Sequence, residues 1–192
     1  MAKLSNRDKI LSAGVRVVHE RGFGGASVRD IVQAAGVPQG SFTNHFVSKE
    51  AFGLEVLDIY FQQSLVLFAE TLRNEALTPL QRLDAFFEAN IDRVSGAAVC
   101  NGCMIGNLAA ENSDSEMMRP RLIHIFQEVQ AAIASCLRAA VTAGEVRADL
   151  ECDDIAAFLV ASLQGTNLLA KVERSAEPME RLKRITFNTL LR

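Results

Sequence analysis

The stretch SVRDIVQAAGVPQGSFTNHFVSKE, Ser27 to Glu50, contains the pattern that decides the fold. Its first half places apolar residues at helical spacing after a serine whose hydroxyl can cap a helix. Gly36 tolerates the left-handed backbone that closes a helix, and Pro38 suits the first turn of the next helix, where its missing N–H removes no hydrogen bond. The pattern therefore predicts two short helices with a sharp turn between Ala35 and Gln39.

The second of these helices, from Pro38 to about His45, is polar. Phe42 and Phe46 are its apolar anchors, whereas side chains that form hydrogen bonds fill most of its other positions. A polar helix held by two aromatic residues suits a DNA groove, because its outer face must pair with base edges and phosphates. The DNA-contacting residues predicted for the whole stretch are Ser27, Val28, Gln39, Gly40, Ser41, Thr43, Asn44, His45 and Lys49.

Composition favours an all-α protein. The chain has 192 residues, 49% of them hydrophobic, with four prolines and one tyrosine, and it lacks the runs of β-branched residues that are typical of strands. The N-terminus MAKLSNRDK lacks the apolar core of a signal peptide, and no apolar stretch approaches the ~20 uncharged residues that span a bilayer. We therefore expect a cytoplasmic protein without membrane contact, whose four cysteines are reduced thiols.

Charge is distributed unevenly along the chain. Residues 1–50 hold seven Lys/Arg and four Asp/Glu, a net charge of +3, whereas residues 51–192 hold thirteen and nineteen, a net charge of −6. The basic part is the part that contains the two short helices. This asymmetry agrees with a small DNA-facing head, residues 1–47, on a larger acidic body, residues 48–192.

Helical periodicity continues through the rest of the chain. Arg7 and Lys9 near the chain's start are candidate phosphate contacts. A long apolar stripe from Ser48 to Asn74 predicts a strut that joins the head to the body. In a long segment from about Glu116 to Ala143, the residues predicted to face inward are Ile123, Phe126, Val129, Ile133 and Leu137. The other predicted helices span Ser5–Arg21, 78–95, 104–111, 153–174 and 178–192.

The last two amphipathic helices can build a four-helix interface with a second copy of the chain. Ala161 and Gly165 are small and leave room for a close partner. The alternative is that both helices only close the core of the protomer. The predicted interface residues are Phe158, Ala161, Gly165, Leu168, Leu182 and Ile185.

The order of these features resembles the TetR family of transcriptional regulators. The residues that carry the resemblance are the alanine-glycine turn, the GSF step at Gly40–Phe42, the closing Phe46 and the SKE of Ser48–Glu50. The resemblance implies a homodimeric repressor of about nine helices. The sequence has no Gly-rich phosphate loop and no Ser/His/Asp grouping, so we expect neither enzymatic activity nor a cofactor. The resemblance also implies that each head lays its third helix in the major groove of one half of a near-palindromic operator in double-stranded DNA.

The chain departs from the family pattern between Phe42 and Phe46. Members commonly carry Tyr-His-Tyr there, and this chain has Thr43, Asn44 and His45. The operator sequence therefore cannot be transferred from relatives. The amide of Asn44 suits bidentate pairing with an adenine edge.

The body is similar to the NemR and AcuR branch of that family. The likeness rests on GCMIGNLAAENSDSEMMRPRL, with KEAFG before it and NLLAKVERSAEP after it. In that branch the glycine-cysteine pair, here Gly102 and Cys103, lies in the effector region, and in NemR-type members the cysteine senses electrophiles or oxidants. The resemblance thus implies an effector that is either a small molecule or a reactive electrophile.

Cys103 is the predicted sensor. It should lie just before a short helix from Met104, whose dipole favours a thiolate, and Cys100 could trap a sulfenic acid as a disulfide. A reversible hydrophobic ligand is the alternative input, with Cys103 then a core thiol. Cys136 and Cys152 are predicted core thiols. The residues predicted to line an effector cavity are Phe61, Phe86, Met104, Leu108, Phe126 and Leu163.

The Cys100-x-x-Cys103 pair also fits two other classes of protein. A zinc site needs a second pair of ligands at metal-ligand spacing, and the sequence offers none, so we expect no metal. A cytosolic CxxC thiol-redox protein without DNA binding is the competing function. Such a protein needs a β-α-β surround, and the sequence supplies no strands.

Overall fold

The structure, a computed structural model, describes residues 4–95 and 101–192. Over those residues it consists of nine α-helices and a terminal π-helical turn, Thr186–Leu190, without a β-strand, which confirms the predicted all-α class. In chain order the helices are α1 Asn6–Gly25, α2 Val28–Ala35, α3 Gly40–His45, α4 Lys49–Glu70, α5 Pro79–Ser95, α6 Met104–Glu111, α7 Met118–Thr142, α8 Cys152–Glu173 and α9 Glu177–Ile185.

Contacts divide the chain into two compact units. The first unit comprises Met1–Gln62 and Cys103–Ile123, and the second comprises Gln63–Gly102 and His124–Arg192. The first unit thus contains α1 to α3, α6 and the beginnings of α4 and α7. The functional boundary at residue 47 stays a prediction.

Serine caps begin the first two helices of the first unit. The Ser27 hydroxyl accepts a hydrogen bond from the Asp30 amide at 3.1 Å, and the Asp30 carboxylate accepts one from the Ser27 amide at 3.1 Å. The same reciprocal pair joins Ser5 and Asp8 at the start of α1. The hydrogen bonds from each serine lower the pKa of the paired carboxyl. Both helix starts are therefore fixed by local sequence.

An aromatic cluster holds α3 against α4. The rings of Phe42, Phe46 and Phe52 lie with their centroids 5.0 to 5.2 Å apart, and Phe52 is fully buried. Phe52 in turn packs on Gly14 of α1, where any added Cβ would overlap its ring. A helix of only six residues is unstable alone, so these rings determine where α3 lies.

In the second unit, α5, α8 and α9 pack together. Phe87 is fully buried and meets Phe187 of the π-helical turn edge to face at 6.0 Å. Lys183 forms ion pairs with Asp84 and Glu88. Burial opposes the charge of Lys183, but hydrogen bonds to these two carboxylates outweigh burial and raise its pKa. The last helix thus has one strong polar attachment to α5.

Two predictions about the body helices are wrong. Ile123 is 43% exposed, whereas Leu122 and Ile125 are buried, so the inward face at the start of α7 lies one position away from the predicted one. The final helix does not run unbroken to the end, because α9 ends at Ile185 and a π-helical turn follows. Ile133 and Leu137 are fully buried, as predicted.

By length and composition alone, α4 and α8 could cross a membrane, although each contains charged residues. Core helices of soluble proteins meet the same criteria. The two helices therefore do not by themselves indicate a membrane segment.

Candidate nucleic-acid interface

The turn between α2 and α3 is built by backbone hydrogen bonds. Gly36 has a φ of 64°, the left-handed conformation predicted for it, and its amide bonds back to the end of α2. The Ser41 amide donates to the Pro38 carbonyl at 2.9 Å and the Phe42 amide to the Gln39 carbonyl at 3.3 Å. The α-helix therefore begins at Gly40, and Pro38 lies in the tight turn before it.

One side of this turn and helix is polar and open to solvent. Phe42 and Phe46 are 3% and 5% exposed, so the helix is anchored as predicted. The Thr43 hydroxyl donates to the Gly40 carbonyl at 3.1 Å, and its oxygen can still accept a hydrogen bond. The predicted DNA-contacting residues that are exposed on this side are Gln39, Gly40, Thr43, Asn44 and His45.

Ser41 does not belong to the exposed side. Its side chain is 8% exposed, so the prediction that it contacts DNA is wrong. A small hydroxyl fits where α3 meets the rest of the head, and the amphipathic pattern of a six-residue helix is too short to reveal this. Ser27 is exposed but serves as the cap of α2, and Val28 is half-buried beside it.

Two exposed residues of the first unit were not among the predicted DNA contacts. Val47, directly after the anchor Phe46, is 96% exposed, which is unusual for a large apolar side chain. Arg29 is exposed in the first turn of α2, and within the described residues it has no ion pair. A basic residue two positions after the Ser27 cap is the sequence signal that would have drawn attention to Arg29.

Lys49 and Arg7 each bond to another group of the first structural unit. The Lys49 ammonium donates to the Phe23 carbonyl at 2.6 Å and lies 4.6 Å from the centre of the Phe23 ring. The Arg7 guanidinium pairs with Glu55 of α4 and lies 5.5 Å from the centre of the Phe46 ring. Lys49 thus connects α4 to the turn after α1, and Arg7 connects α1 to α4. A phosphate contact by either residue stays a prediction.

Cys103 occupies the predicted position at the start of α6. It is the N-cap residue, its carbonyl accepts a hydrogen bond from the Asn107 amide at 2.9 Å, and its side chain is half-buried. Cys100, the predicted resolving thiol, lies outside the described residues. Cys136 and Cys152 are buried, as predicted, and burial raises the pKa of the Cys136 thiol to about 11. Cys103 is therefore the most accessible of the three described thiols.

The predicted cavity-lining residues are distributed over both units. Phe61, Met104 and Leu108 are buried in the first unit. Phe86 and Leu163 are buried in the second unit, where Phe126 is half-buried. A common effector cavity for these residues stays a prediction. The second unit also has an open groove of about 530 Å³ lined by Asp84, Glu88, Ile91, Glu180, Lys183, Arg184, Phe187 and Asn188.

The exposed side of α8 is apolar over four turns. Phe158 is 50% exposed, Leu168 61% and Val172 73%, and a Cβ added at Gly165 would meet no atom within 4 Å. Ala161 is exposed on the same side, and Ile185 of α9 is also exposed. Leu182 is only 7% exposed because it packs into the core of its own protomer, so its predicted place in a dimer interface is wrong.

Comparison with known proteins assigns both parts of the chain. Residues 10–56 match bacterial regulatory proteins of the tetR family, and residues 79–186 match the tetracyclin repressor-like C-terminal domain. The chain is 38% identical to the HTH-type transcriptional repressor DhaR of Mycobacterium sp. (strain GP1) over 192 residues, which cover 100% of this chain and 95% of DhaR. It is 30% identical to the transcriptional regulator AcuR of Cereibacter sphaeroides over 91% of this chain and 80% of AcuR.

A solved structure agrees with these relatives. The crystal structure of E. coli NemR in its reduced form matches with a TM-score of 0.83 at 30% sequence identity, over 95% of this chain and 96% of that one. The agreement extends over both structural units, and not only over the DNA-binding end.

Proposed function

Because this chain belongs to the TetR family of transcriptional regulators, we propose that it is a repressor that binds a near-palindromic operator as a homodimer and is released by an effector. The resemblance to the NemR and AcuR branch is confirmed. Members of the family are DNA-binding regulators without enzymatic activity, and this replaces the competing thiol-redox function. We place the repressor in the cytoplasm, where a bacterial operator is accessible.

The observation that carries the proposal is the exposed polar face of α3. Gln39, Asn44 and His45 present hydrogen-bonding groups to solvent on a helix fixed by Phe42 and Phe46. Amides pair bidentately with adenine edges in the major groove, and an imidazole can reach a base or a phosphate. Arg29 in the first turn of α2 and Lys49 in the first turn of α4 supply positive charge in the same unit for phosphate contacts.

A homodimer supplies the second head that a near-palindromic operator requires. Regulators of this family bind their operators as dimers. The apolar side of α8 offers a self-complementary surface, since Ala161 and Gly165 permit close approach and Phe158 and Leu168 provide apolar area. Two heads in a dimer must lie about one helical turn of DNA apart, or a multiple of it, to occupy both half-sites.

Selection of duplexes from a random library tests the proposal directly. We expect the purified protein to enrich a near-palindromic sequence and to behave as a dimer in light scattering. Gel shifts with the enriched duplex should persist in excess random competitor. A monomeric protein that enriches no sequence would contradict the proposal.

The effector acts through the C-terminal part of the chain, and we propose Cys103 as its target. Cys103 is the N-cap residue of α6, and its half-buried thiol is the most accessible of the three described thiols. Addition of an electrophile at this cap would displace the start of α6. The reversible alternative is a hydrophobic ligand that binds without using the thiol.

Operator release by N-ethylmaleimide distinguishes these inputs. We expect the reagent to release the wild-type protein and to leave Cys103→Ser bound, with mass spectrometry locating the adduct. Cys136→Ser is the matched control, because its buried thiol with a pKa of about 11 stays protonated and unreactive at neutral pH. Equal release of wild type and Cys103→Ser would eliminate thiol sensing and favour a reversible ligand.

A further inference from the structure

The turn between α1 and α2 is held by a carboxylate from a distant part of the sequence. Glu111, the last residue of α6, accepts a hydrogen bond from the Gly24 amide at 2.6 Å. Both residues belong to the first structural unit. Gly24 precedes the Ser27 cap by three residues, so this contact lies directly at the entrance to α2.

The turn is shaped to receive this carboxylate. Gly22 has a φ of 76° and a ψ of 166°, a conformation almost restricted to glycine, and it interrupts the helical path of α1. A Cβ at Gly22 would lie 2.5 Å from one Glu111 oxygen, and a Cβ at Gly24 would lie 3.4 Å from the other. Gly22 therefore leaves space for the carboxylate as well as freedom for the backbone, whereas a Cβ at Gly24 would make only an ordinary contact with it.

Glu111 lies at the C-terminal end of α6, where a carboxylate does not stabilise the helix. The C-terminal end of a helix carries partial negative charge, so a carboxylate in the last turn is disfavoured there. The charge-assisted hydrogen bond to Gly24 offsets this repulsion. Glu111 thus stabilises the contact between α6 and the α1–α2 turn, and it does not stabilise α6 itself.

The same turn is held from its other side by α4. Lys49 donates to the Phe23 carbonyl at 2.6 Å, and the Phe23 ring lies against Gly53, where an added Cβ would be 2.5 Å from the ring. Glu50 accepts a hydrogen bond from Ser115 in the segment after α6. The turn from Gly22 to Gly25 is therefore fixed between α6 and the first turns of α4.

We propose that Glu111 is a positioning residue that sets the orientation of α2 and α3 for operator binding by fixing the α1–α2 turn to α6. The proposal rests on the repressor function proposed above. It gives α6 a direct attachment to the DNA-binding head, with Cys103 at one end of the helix and Glu111 at the other. A displacement of α6 then reaches α2 and α3 through the hydrogen bond from the Gly24 amide to Glu111.

Three variants test the proposal. Glu111→Ala removes the acceptor, Glu111→Gln keeps an amide oxygen that can accept the same bond, and Glu116→Ala is the matched control. Glu116 is an exposed acid in the same unit, and within the described residues it has no hydrogen bond or ion pair. Each variant is examined for exchange of the Gly24 amide by NMR and for affinity to the selected operator and to random duplex.

We expect Glu111→Ala to speed Gly24 exchange and to weaken operator affinity by about tenfold, the size of one charge-assisted hydrogen bond, with affinity for random duplex unchanged. Glu111→Gln should recover at least half of the loss in logarithmic terms, and Glu116→Ala should match wild type. Operator affinity in Glu111→Ala equal to that of Glu116→Ala would overturn the proposal, whatever the exchange rate. If the wild-type protein selects no operator, the proposed repressor function is wrong. The contact is tested separately, because unchanged Gly24 exchange in Glu111→Ala would show that Glu111 does not fix the turn.

Discussion

The recognition side of α3 and the outer side of α8 are both open to solvent in the protomer, yet their chemistry is opposite. α3 presents amide, hydroxyl and imidazole groups on a helix of six residues. α8 presents Phe158, Leu168 and Val172 on a helix of 22 residues. A polar surface of this kind suits a hydrated polyanion, whereas a contiguous apolar stripe is costly to leave in water and suits another protein surface.

The two helices also differ in what holds them. α8 has a continuous buried side, with Ala156, Leu159, Leu163 and Ala170 at helical spacing, so its own length stabilises it. α3 depends on two aromatic anchors and on the turns at its ends. A short helix that is fixed from outside can be moved by its supports, which is useful in a regulated DNA-binding element, whereas α8 suits a permanent interface.

Leu168→Glu tests the role of α8 as the dimer interface and should have the largest effect. Placing a charge at the centre of an apolar dimer interface buries it without a partner, so we expect dimer affinity to fall by about 100-fold or more. Analytical ultracentrifugation should show monomers at micromolar concentration, and binding to the full operator should be lost with dimerisation. The protomer should still fold, with unchanged helix content by circular dichroism, because Leu168 is 61% exposed and lies outside the protomer core.

Val66→Glu is the matched control for that change. Val66 is a similarly exposed apolar residue, 57% exposed, on α4. We expect this variant to remain dimeric and to bind the operator as wild type does. A dimer that survives Leu168→Glu, or that is lost equally in Val66→Glu, would show that α8 is not the interface.

Asn44→Ala tests base recognition by α3 and should have a smaller effect than Leu168→Glu. Loss of one bidentate base contact costs about 1–3 kcal/mol, so we expect roughly 10- to 100-fold weaker binding to the selected operator. Affinity for random duplex should remain nearly unchanged, because that affinity comes from phosphate contacts. Gel shifts with both duplexes provide the measurement.

An exposed glutamine outside the DNA-binding helices is the control for losing an amide side chain at the surface. Gln127 is exposed on α7, and Gln127→Ala should leave both affinities unaltered. If Asn44→Ala reduced binding to operator and random duplex by the same factor, Asn44 would contact only backbone and the base-reading role would be wrong.

Features that depend on local chemistry were predictable from the sequence. The Ser27 cap and the left-handed Gly36 are set by residues within one helical turn of each other. The family pattern then supplied the order of the helices. These signals were sufficient to identify the recognition helix and its anchors.

Features that depend on tertiary partners were not predictable. At the start of α7 both Leu122 and Ile123 are apolar, and only the packing decides that Leu122 is buried and Ile123 exposed. Leu182 likewise belongs to the core of the protomer although the sequence pattern also suits an interface. The hydrogen bond from Gly24 to Glu111 joins residues 87 positions apart, and no local pattern reports such a contact.

Lys49→Ala tests the phosphate contact proposed for this lysine and should produce the smallest effect on binding. The Lys49 ammonium gives one hydrogen bond to the Phe23 carbonyl and has two more N–H donors for a phosphate. Loss of one phosphate contact should weaken binding to operator and random duplex alike and should reduce the slope of log affinity against log salt by about one. A salt series in gel shifts measures the slope, and Lys171→Ala, which removes a lysine from α8, should not change it. A melting temperature that falls while the salt slope stays at the wild-type value would assign Lys49 entirely to the α1–α2 turn.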